Sequence, residues 1–117
     1  MIELWHNPRC SKSRAALALL KEADAEIGVR RYLENPPDAN TLGLVLDALG
    51  KEPWEIARTG ESVAQEIDLP EPGADRERWI ELMVANPILI ERPIAIDGAG
   101  RAVLGRPPED VLGLVDR

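Results

Sequence analysis

The chain has 117 residues, of which 44% are hydrophobic and 30% are charged, as expected for one globular domain with its own core. Its net charge of −7 argues against general binding to nucleic acids or anionic membranes, because both need a basic surface. The single cysteine rules out an intramolecular disulfide and a cysteine-rich zinc site.

Two further features of the sequence bear on where the protein works. No apolar run is long enough to cross a bilayer, and the N-terminus begins with a strand pattern rather than a secretory leader. A free thiol suits a reducing compartment. We therefore predict a cytoplasmic monomer that binds neither membrane nor nucleic acid and holds no metal or bound cofactor.

The first third of the chain alternates strand and helix patterns. Residues 2–5 predict a strand, residues 11–23 an amphipathic helix, and residues 29–33 a second strand. Two consecutive prolines at 36 and 37 end this part of the chain.

The middle of the chain, about residues 38–86, is predicted to be a helical insertion. Its apolar spacing and stop signals indicate helices over residues 39–49, 53–58 and 62–67, and from Asp75 to residue 85.

The last third predicts a β-hairpin, with strands at 93–96 and 101–104, followed by a helix at 109–115. The order β-α-β, helices, β-β-α predicts an α/β, thioredoxin-like, three-layer fold with a mixed four-stranded sheet. In that fold a proline beginning the third strand faces the start of the first helix. Pro93 fits this position, and Arg92–Pro93 is a candidate cis peptide bond.

The segment 6–14, His-Asn-Pro-Arg-Cys-Ser-Lys-Ser-Arg, contains the only cysteine and the only histidine. His6, Arg9, Lys12 and Arg14 all lie within four residues of Cys10. Positive charge and a helix start both favour a thiolate, which is the nucleophilic form of cysteine. The alternatives are an inert, buried cysteine, which the polar neighbours disfavour, and a loop histidine that simply bonds a carbonyl.

Three more segments carry recognisable motifs: Tyr-Leu-Glu-Asn-Pro-Pro at 32–37, Asn-Pro-Ile-Leu-Ile-Glu-Arg-Pro-Ile at 86–94 and Gly-Arg-Pro-Pro-Glu at 105–109. Together with segment 6–14, and in this order, they resemble the glutaredoxin-linked arsenate reductase (ArsC) family over essentially the whole chain. The resemblance implies that Cys10 is the nucleophile, that His6 helps to keep it ionised, and that Arg58, Arg92 and Arg106 bind the substrate oxyanion.

Most surface arginines form exposed ion pairs that contribute little stability. We predict this for five arginines, namely Arg30, Arg31, Arg76, Arg78 and Arg101.

The resemblance further implies arsenate as substrate, glutathione as co-substrate and glutaredoxin as protein partner. Ser13 stands where regulatory members of the family have a second cysteine, so an internal disulfide switch is not available. Two other functions stay open: a glutathione-dependent thiol or disulfide oxidoreductase acting on another substrate, and a non-enzymatic, transcription-related binding domain. Three oxyanion-binding arginines favour arsenate reduction over the former, and the acidic charge disfavours the latter.

Overall fold

The computed structural model describes residues 1–115. Within it the chain forms two compact units. The first combines Met1–Asn35 with the chain from Arg92 onward, and the second is Pro36–Glu91.

A four-stranded sheet forms the centre of the first unit. Its elements are β1 (Ile2–Trp5), α1 (Ser11–Glu22), β2 (Ile27–Arg30), β3 (Ile94–Asp97), β4 (Ala102–Leu104) and a C-terminal 3-10 helix (Pro108–Leu114). The strand order is β2-β1-β3-β4, with β1 parallel to β2 and antiparallel to β3, and β3 antiparallel to β4. The predicted mixed α/β sheet is therefore confirmed.

The core of this unit lies between the sheet and its helices. Leu4 on β1 and Ala95 on β3 pack with Ala16 and Leu20, which are one turn apart on α1, and with Val111 of the 3-10 helix. Burying each leucine side chain contributes about 1.5–3 kcal/mol. This packing fixes the start of α1 relative to the sheet.

The second unit is helical, as predicted. Its elements are α2 (Ala39–Leu49), α3 (Pro53–Ile56), α4 (Ser62–Glu66), α5 (Arg76–Ala85) and a 3-10 helix (Pro87–Leu89). Asp38 caps α2 by accepting a 2.7 Å hydrogen bond from the Thr41 N–H, and Gly50 ends this helix in the left-handed region, with φ 67°. Trp54 and Trp79 pack edge to face with their ring centroids 6.4 Å apart.

Two predicted elements need correction. The second strand is Ile27–Arg30 rather than 29–33, because Gly28 lies in the parallel ladder opposite Glu3 and does not precede it. The chain turns after Arg30, where the Arg31 carbonyl accepts from the Glu34 and Asn35 N–H groups. The final helix is a 3-10 helix, Pro108–Leu114, rather than the predicted helix at 109–115.

Smaller differences concern helix ends and peptide geometry. The helix predicted over 53–58 stops at Ile56, since Ala57 is extended and bridges to Ile90. Arg92–Pro93 is cis, and so is Arg106–Pro107, which the sequence analysis did not anticipate. Within residues 1–115 no helix has the length and apolar character that spanning a bilayer demands.

Candidate active site

Cys10 lies in the first unit, at the junction between β1 and α1. A tight turn precedes it, in which the Cys10 N–H donates to the Asn7 carbonyl at 3.0 Å and the Arg9 N–H donates to Asn7 Oδ1 at 3.0 Å. Cys10 itself has an extended backbone and is the N-cap of α1. The half-buried thiol is therefore next to the positive end of a twelve-residue helix.

The surroundings of Cys10 favour its thiolate. Burial acts to raise the pKa of the thiol, but it is outweighed by the backbone N–H of Ser13, the side chain of Arg92 and the backbone N–H of Lys12. The pKa of Cys10 consequently lies below the ordinary value for cysteine. Two causes act together: the N–H groups at the start of α1 and one cationic side chain from the start of β3.

His6 is buried and bonded to a serine rather than to the thiol. Its Nδ1 lies 2.6 Å from Ser13 Oγ, and the same oxygen accepts a 3.0 Å hydrogen bond from the Asn7 N–H. Burial lowers the pKa of His6, and the positive charges of Arg31, Arg14 and Lys21 lower it further. His6 is thus neutral near pH ~7, with the Ser13 hydroxyl proton available to donate to Nδ1.

The predicted role of His6 in keeping Cys10 ionised stays a prediction, and the structure shows which contacts His6 makes. Within the described part of the chain, His6 is not among the groups that lower the pKa of Cys10, so a direct charge effect is not what the geometry provides. The fully buried Ser13 instead joins the His6 side chain to the first turn of α1. This role of Ser13 was not predicted, although Ser13 lies only three residues after Cys10, in the first turn of α1.

Arg92 and Arg106 come together at one end of the β3–β4 hairpin. Arg92 precedes Pro93 and β3, and its side chain lowers the pKa of the Cys10 thiol. Arg106 follows β4, and its Nε donates a 2.9 Å hydrogen bond to the Arg92 carbonyl. The half-buried side chains of both arginines are therefore held in the same compact unit as Cys10.

Arg58 lies in the second unit, and its guanidinium is shared by two carboxylates. Its Nη1 donates to Glu91 Oε1, and its Nε lies 3.8 Å from Glu61 Oε2. The Arg58 backbone N–H also donates to the Leu89 carbonyl at 2.7 Å. The predicted role of Arg58 in oxyanion binding stays a prediction, since these two acids already engage the side chain.

The five arginines predicted to form exposed ion pairs all form ion pairs, but the pair of Arg30 with Glu3 is partly buried, with side-chain exposures of 28% and 37%. The pairs are Arg30–Glu3, Arg31–Glu34, Arg76 with Asp47 and Glu52, Arg78–Glu81 and Arg101–Asp97. In the described residues, no group of three or more His, Cys, Asp or Glu side chains is arranged to hold a metal ion.

Comparisons with known proteins agree with this fold. The chain is 46% identical over 115 residues to the uncharacterized protein YfgD of Escherichia coli, which covers 97% of this chain and 96% of that protein. It is 38% identical over 111 residues to an arsenate reductase of Neisseria meningitidis, covering 94% of each chain. The structure of an arsenate reductase from Vibrio cholerae superposes with a TM-score of 0.89, at 36% identity and 97% coverage of both chains.

The family comparison covers both compact units and the whole segment that contains Cys10. A family model described as "ArsC family" matches residues 5–114. With a thioredoxin-like fold, a thiol at the start of the first helix and relatives of this identity, the chain belongs to the ArsC family.

Proposed function

We propose that this protein is an arsenate reductase in which the Cys10 thiolate attacks arsenate. The observation that carries the proposal is the position of Cys10 at the N-cap of α1, where the N–H groups of Ser13 and Lys12 and the Arg92 side chain lower the pKa of the thiol. The thiolate is the form of cysteine that can attack the arsenic atom, and a lowered pKa raises its fraction. The relatives named arsenate reductase support this choice of electrophile.

Oxyanion binding is assigned to Arg92 and Arg106, with Arg58 as a third candidate. Arsenate is a tetrahedral anion, and removing it from water requires charge-assisted hydrogen bonds in a fixed geometry. The planar guanidinium can donate two parallel hydrogen bonds and keeps its charge at all relevant pH values. The N–H groups at the start of α1 add dipoles of the same sign.

The first chemical step is the attack of the Cys10 sulfur on arsenic. A sulfur–arsenic bond forms, and one arsenate oxygen takes up a proton and leaves as water. Arsenic is still pentavalent at this point. The same N–H groups and arginine that stabilise the thiolate would stabilise the negative charge on the arsenate oxygens.

Reduction needs two further thiols, because the chain has no second cysteine. Glutathione adds to the arsenic and displaces a second water. A glutaredoxin thiolate then attacks the glutathione sulfur, and the electron pair of the broken sulfur–arsenic bond passes to arsenic. Hydrolysis of the trivalent arsenic–Cys10 bond releases arsenite and the free thiol. The oxidised product is the mixed disulfide of glutathione and glutaredoxin.

The proposed working state is a cytoplasmic monomer without a bound cofactor. Arsenate-dependent NADPH oxidation, coupled through glutathione, glutaredoxin and glutathione reductase, tests the activity directly. Turnover should require glutathione and glutaredoxin and should not be sustained by thioredoxin alone. Full activity with thioredoxin and no glutathione would overturn the assigned reductant. Reduction of glutathione mixed disulfides without any turnover of arsenate would instead support the alternative thiol–disulfide oxidoreductase.

A further inference from the structure

Gly105 lies where two segments of the first unit approach each other very closely. A Cβ atom added to Gly105 would lie 2.7 Å from Cγ of Pro93 and 3.0 Å from Cγ1 of Val111. A carbon atom cannot occupy that position unless its neighbours move. Glycine at 105 is therefore required by space rather than by backbone conformation, since its φ is not among the positive values.

This close approach connects the two arginines of the candidate site. The Gly105 N–H donates to the Pro93 carbonyl at 2.8 Å, which continues the β3–β4 ladder one step beyond the Ile94–Leu104 pair. The next residue, Arg106, bonds the Arg92 carbonyl through its Nε at 2.9 Å. Two consecutive residues on one side of the hairpin thus bond two consecutive residues on the other.

Val111 is the second residue that packs closely against Gly105. It is fully buried in the 3-10 helix Pro108–Leu114 and is part of the same core as Leu4 and Ala16. Because the core holds Val111, a larger residue at position 105 cannot simply shift away from Pro93. The displacement would fall on Pro93 and on Arg92, which is bonded to it.

We propose that Gly105 is a positioning residue, which lets residues 105 and 106 approach Pro93 and thereby sets where the Arg92 and Arg106 side chains stand relative to Cys10. The inference rests on the proposed roles of these two arginines but does not depend on arsenate being the substrate. It predicts that the effect of a substitution at 105 will be transmitted to the thiol through Arg92.

The test is Gly105→Ala, with Gly98→Ala as the matched control. Gly98 lies at the opposite end of the same hairpin, and among the described residues only its own chain neighbours lie within 4 Å of a Cβ added there. The rate of Cys10 alkylation is measured against pH, with circular dichroism and thermal unfolding to establish that each variant is folded. We expect a higher thiol pKa in Gly105→Ala, seen as several-fold slower alkylation at neutral pH, and no change in Gly98→Ala.

The thiol pKa separates positioning from a merely structural role, because loss of global stability alone does not change the pKa of a thiol in the folded protein. A folded Gly105→Ala with a wild-type alkylation profile would overturn the proposal, whether or not the wild type reduces arsenate. If arsenate turnover were absent in the wild type but the thiol pKa rose in Gly105→Ala, the proposed function would fail and the positioning role would stand.

A second pair of variants covers the case in which Gly105→Ala does not fold. Val111→Ala removes the 3.0 Å contact and so lowers the cost of folding, but the closer 2.7 Å approach to Cγ of Pro93 remains, because the residue 105 N–H is bonded to the Pro93 carbonyl. Val111→Ala and Gly105→Ala/Val111→Ala then differ only by the methyl group at 105. We expect the higher thiol pKa in the double variant. Identical alkylation profiles for the two proteins would contradict the proposal.

Discussion

The two compact units treat their positive charges differently. In Pro36–Glu91 every lysine and arginine lies within ion-pairing distance of a carboxylate; these residues are Lys51, Arg58, Arg76 and Arg78. Around Cys10 the situation is reversed. Arg9, Lys12 and Arg14 have no carboxylate at that distance in the part of the chain that the structure describes, although acidic residues outnumber basic ones in the sequence.

The comparison teaches which charges can act on an anion. A cation paired with a carboxylate has little net field a few ångströms away, whereas an unpaired cation keeps its field within the screening length of about 8–10 Å. The first unit therefore has the chemical environment for a thiolate and an oxyanion, whereas each cation of the second unit is neutralised by a carboxylate. Within the first unit, the effect of a cation on the thiol depends on its burial. Half-buried Arg92 lowers the pKa of Cys10, whereas exposed Arg9 and Arg14 are not among the groups that lower it.

The largest expected effect comes from Cys10→Ser in the first unit. Turnover should fall by about three orders of magnitude or more, because a hydroxyl is a far weaker nucleophile than a thiolate. The fold should persist, since the change is small at a half-buried turn. The coupled arsenate assay, together with circular dichroism, measures both. Substantial remaining turnover would contradict the placement of the chemistry in the first unit, because the nucleophile would then be a residue other than Cys10.

Next come Arg92→Lys and Arg106→Lys, which keep the charge but lose the bidentate donor. Losing one charge-assisted hydrogen bond costs about 1.5–3 kcal/mol, so arsenate affinity should fall by about 10- to 100-fold. Calorimetric titration with arsenate measures this. Arg78→Lys, in an exposed pair of the second unit, is the matched control and should bind as the wild type does. Equal binding by all of these variants would place the oxyanion elsewhere.

A third prediction concerns the pH dependence of the thiol. Because the pKa of Cys10 is lowered, alkylation should continue as the pH falls below the ordinary cysteine value of ~8.5 and should be lost only below the lowered pKa. Arg92→Lys should move this transition to higher pH more than His6→Ala does, since His6 is neutral and bonded to Ser13. A larger shift in His6→Ala would restore the direct role predicted from sequence.

Arg58→Lys tests whether a cation of the second unit that is paired with carboxylates can also bind arsenate. Arg58 is shared between Glu91 and Glu61, so arsenate must compete with two carboxylates for it. We expect a loss of arsenate affinity of only about two- to threefold, smaller than that of Arg92→Lys. The same titration measures it. A loss as large as that of Arg92→Lys would mean that Arg58 leaves its carboxylates when arsenate binds.

The smallest effect is expected for Arg78→Ala. Its pair with Glu81 is exposed, at 52% and 60% of side-chain area, and its closest N–O distance is 3.5 Å. Such pairs contribute about 0–0.5 kcal/mol, so the thermal midpoint should change by at most a degree or two. Scanning calorimetry at low and high salt provides the measurement. A larger, salt-sensitive loss of stability would show that the ion pairs of the second unit do contribute to the free energy of unfolding.

Much of the architecture was predictable because it depends on local signals. The helix after Cys10 follows from apolar spacing, and the last α-helix of the second unit follows from its predicted N-cap Asp75, whose side chain accepts from the Arg78 N–H. Asp38 caps α2 in the same way, although it was not predicted to do so. The second strand was predicted to begin after Gly28, because glycine is unfavourable inside a strand. In the structure Gly28 lies within the β1–β2 ladder, beside the Met1 side chain.

The candidate site was predictable in its composition but not in its connections. The motif identified Cys10, and the topology indicated that Pro93 belongs near the same helix start. The Ser13–His6 bond and the Arg106–Arg92 bond could not be foreseen, because they depend on side-chain orientation rather than on spacing. The two carboxylates that pair with Arg58 were not predicted either. Glu91 is far from Arg58 in the sequence and reaches it only through the fold of the second unit.

The strand order has a consequence for how the protein is made. β1 leaves the ribosome first, yet its antiparallel neighbour β3 is nearly the whole chain away, and the core residue Val111 is further still. The unit Pro36–Glu91 can collapse during synthesis because its contacts lie within one continuous segment, whereas the sheet that supports Cys10 must wait for the C-terminal segment. The nascent chain would thus carry the Cys10 thiol without Arg92 beside it until β3 has been made, and the pKa of that thiol would fall only when β3 and β4 join the sheet.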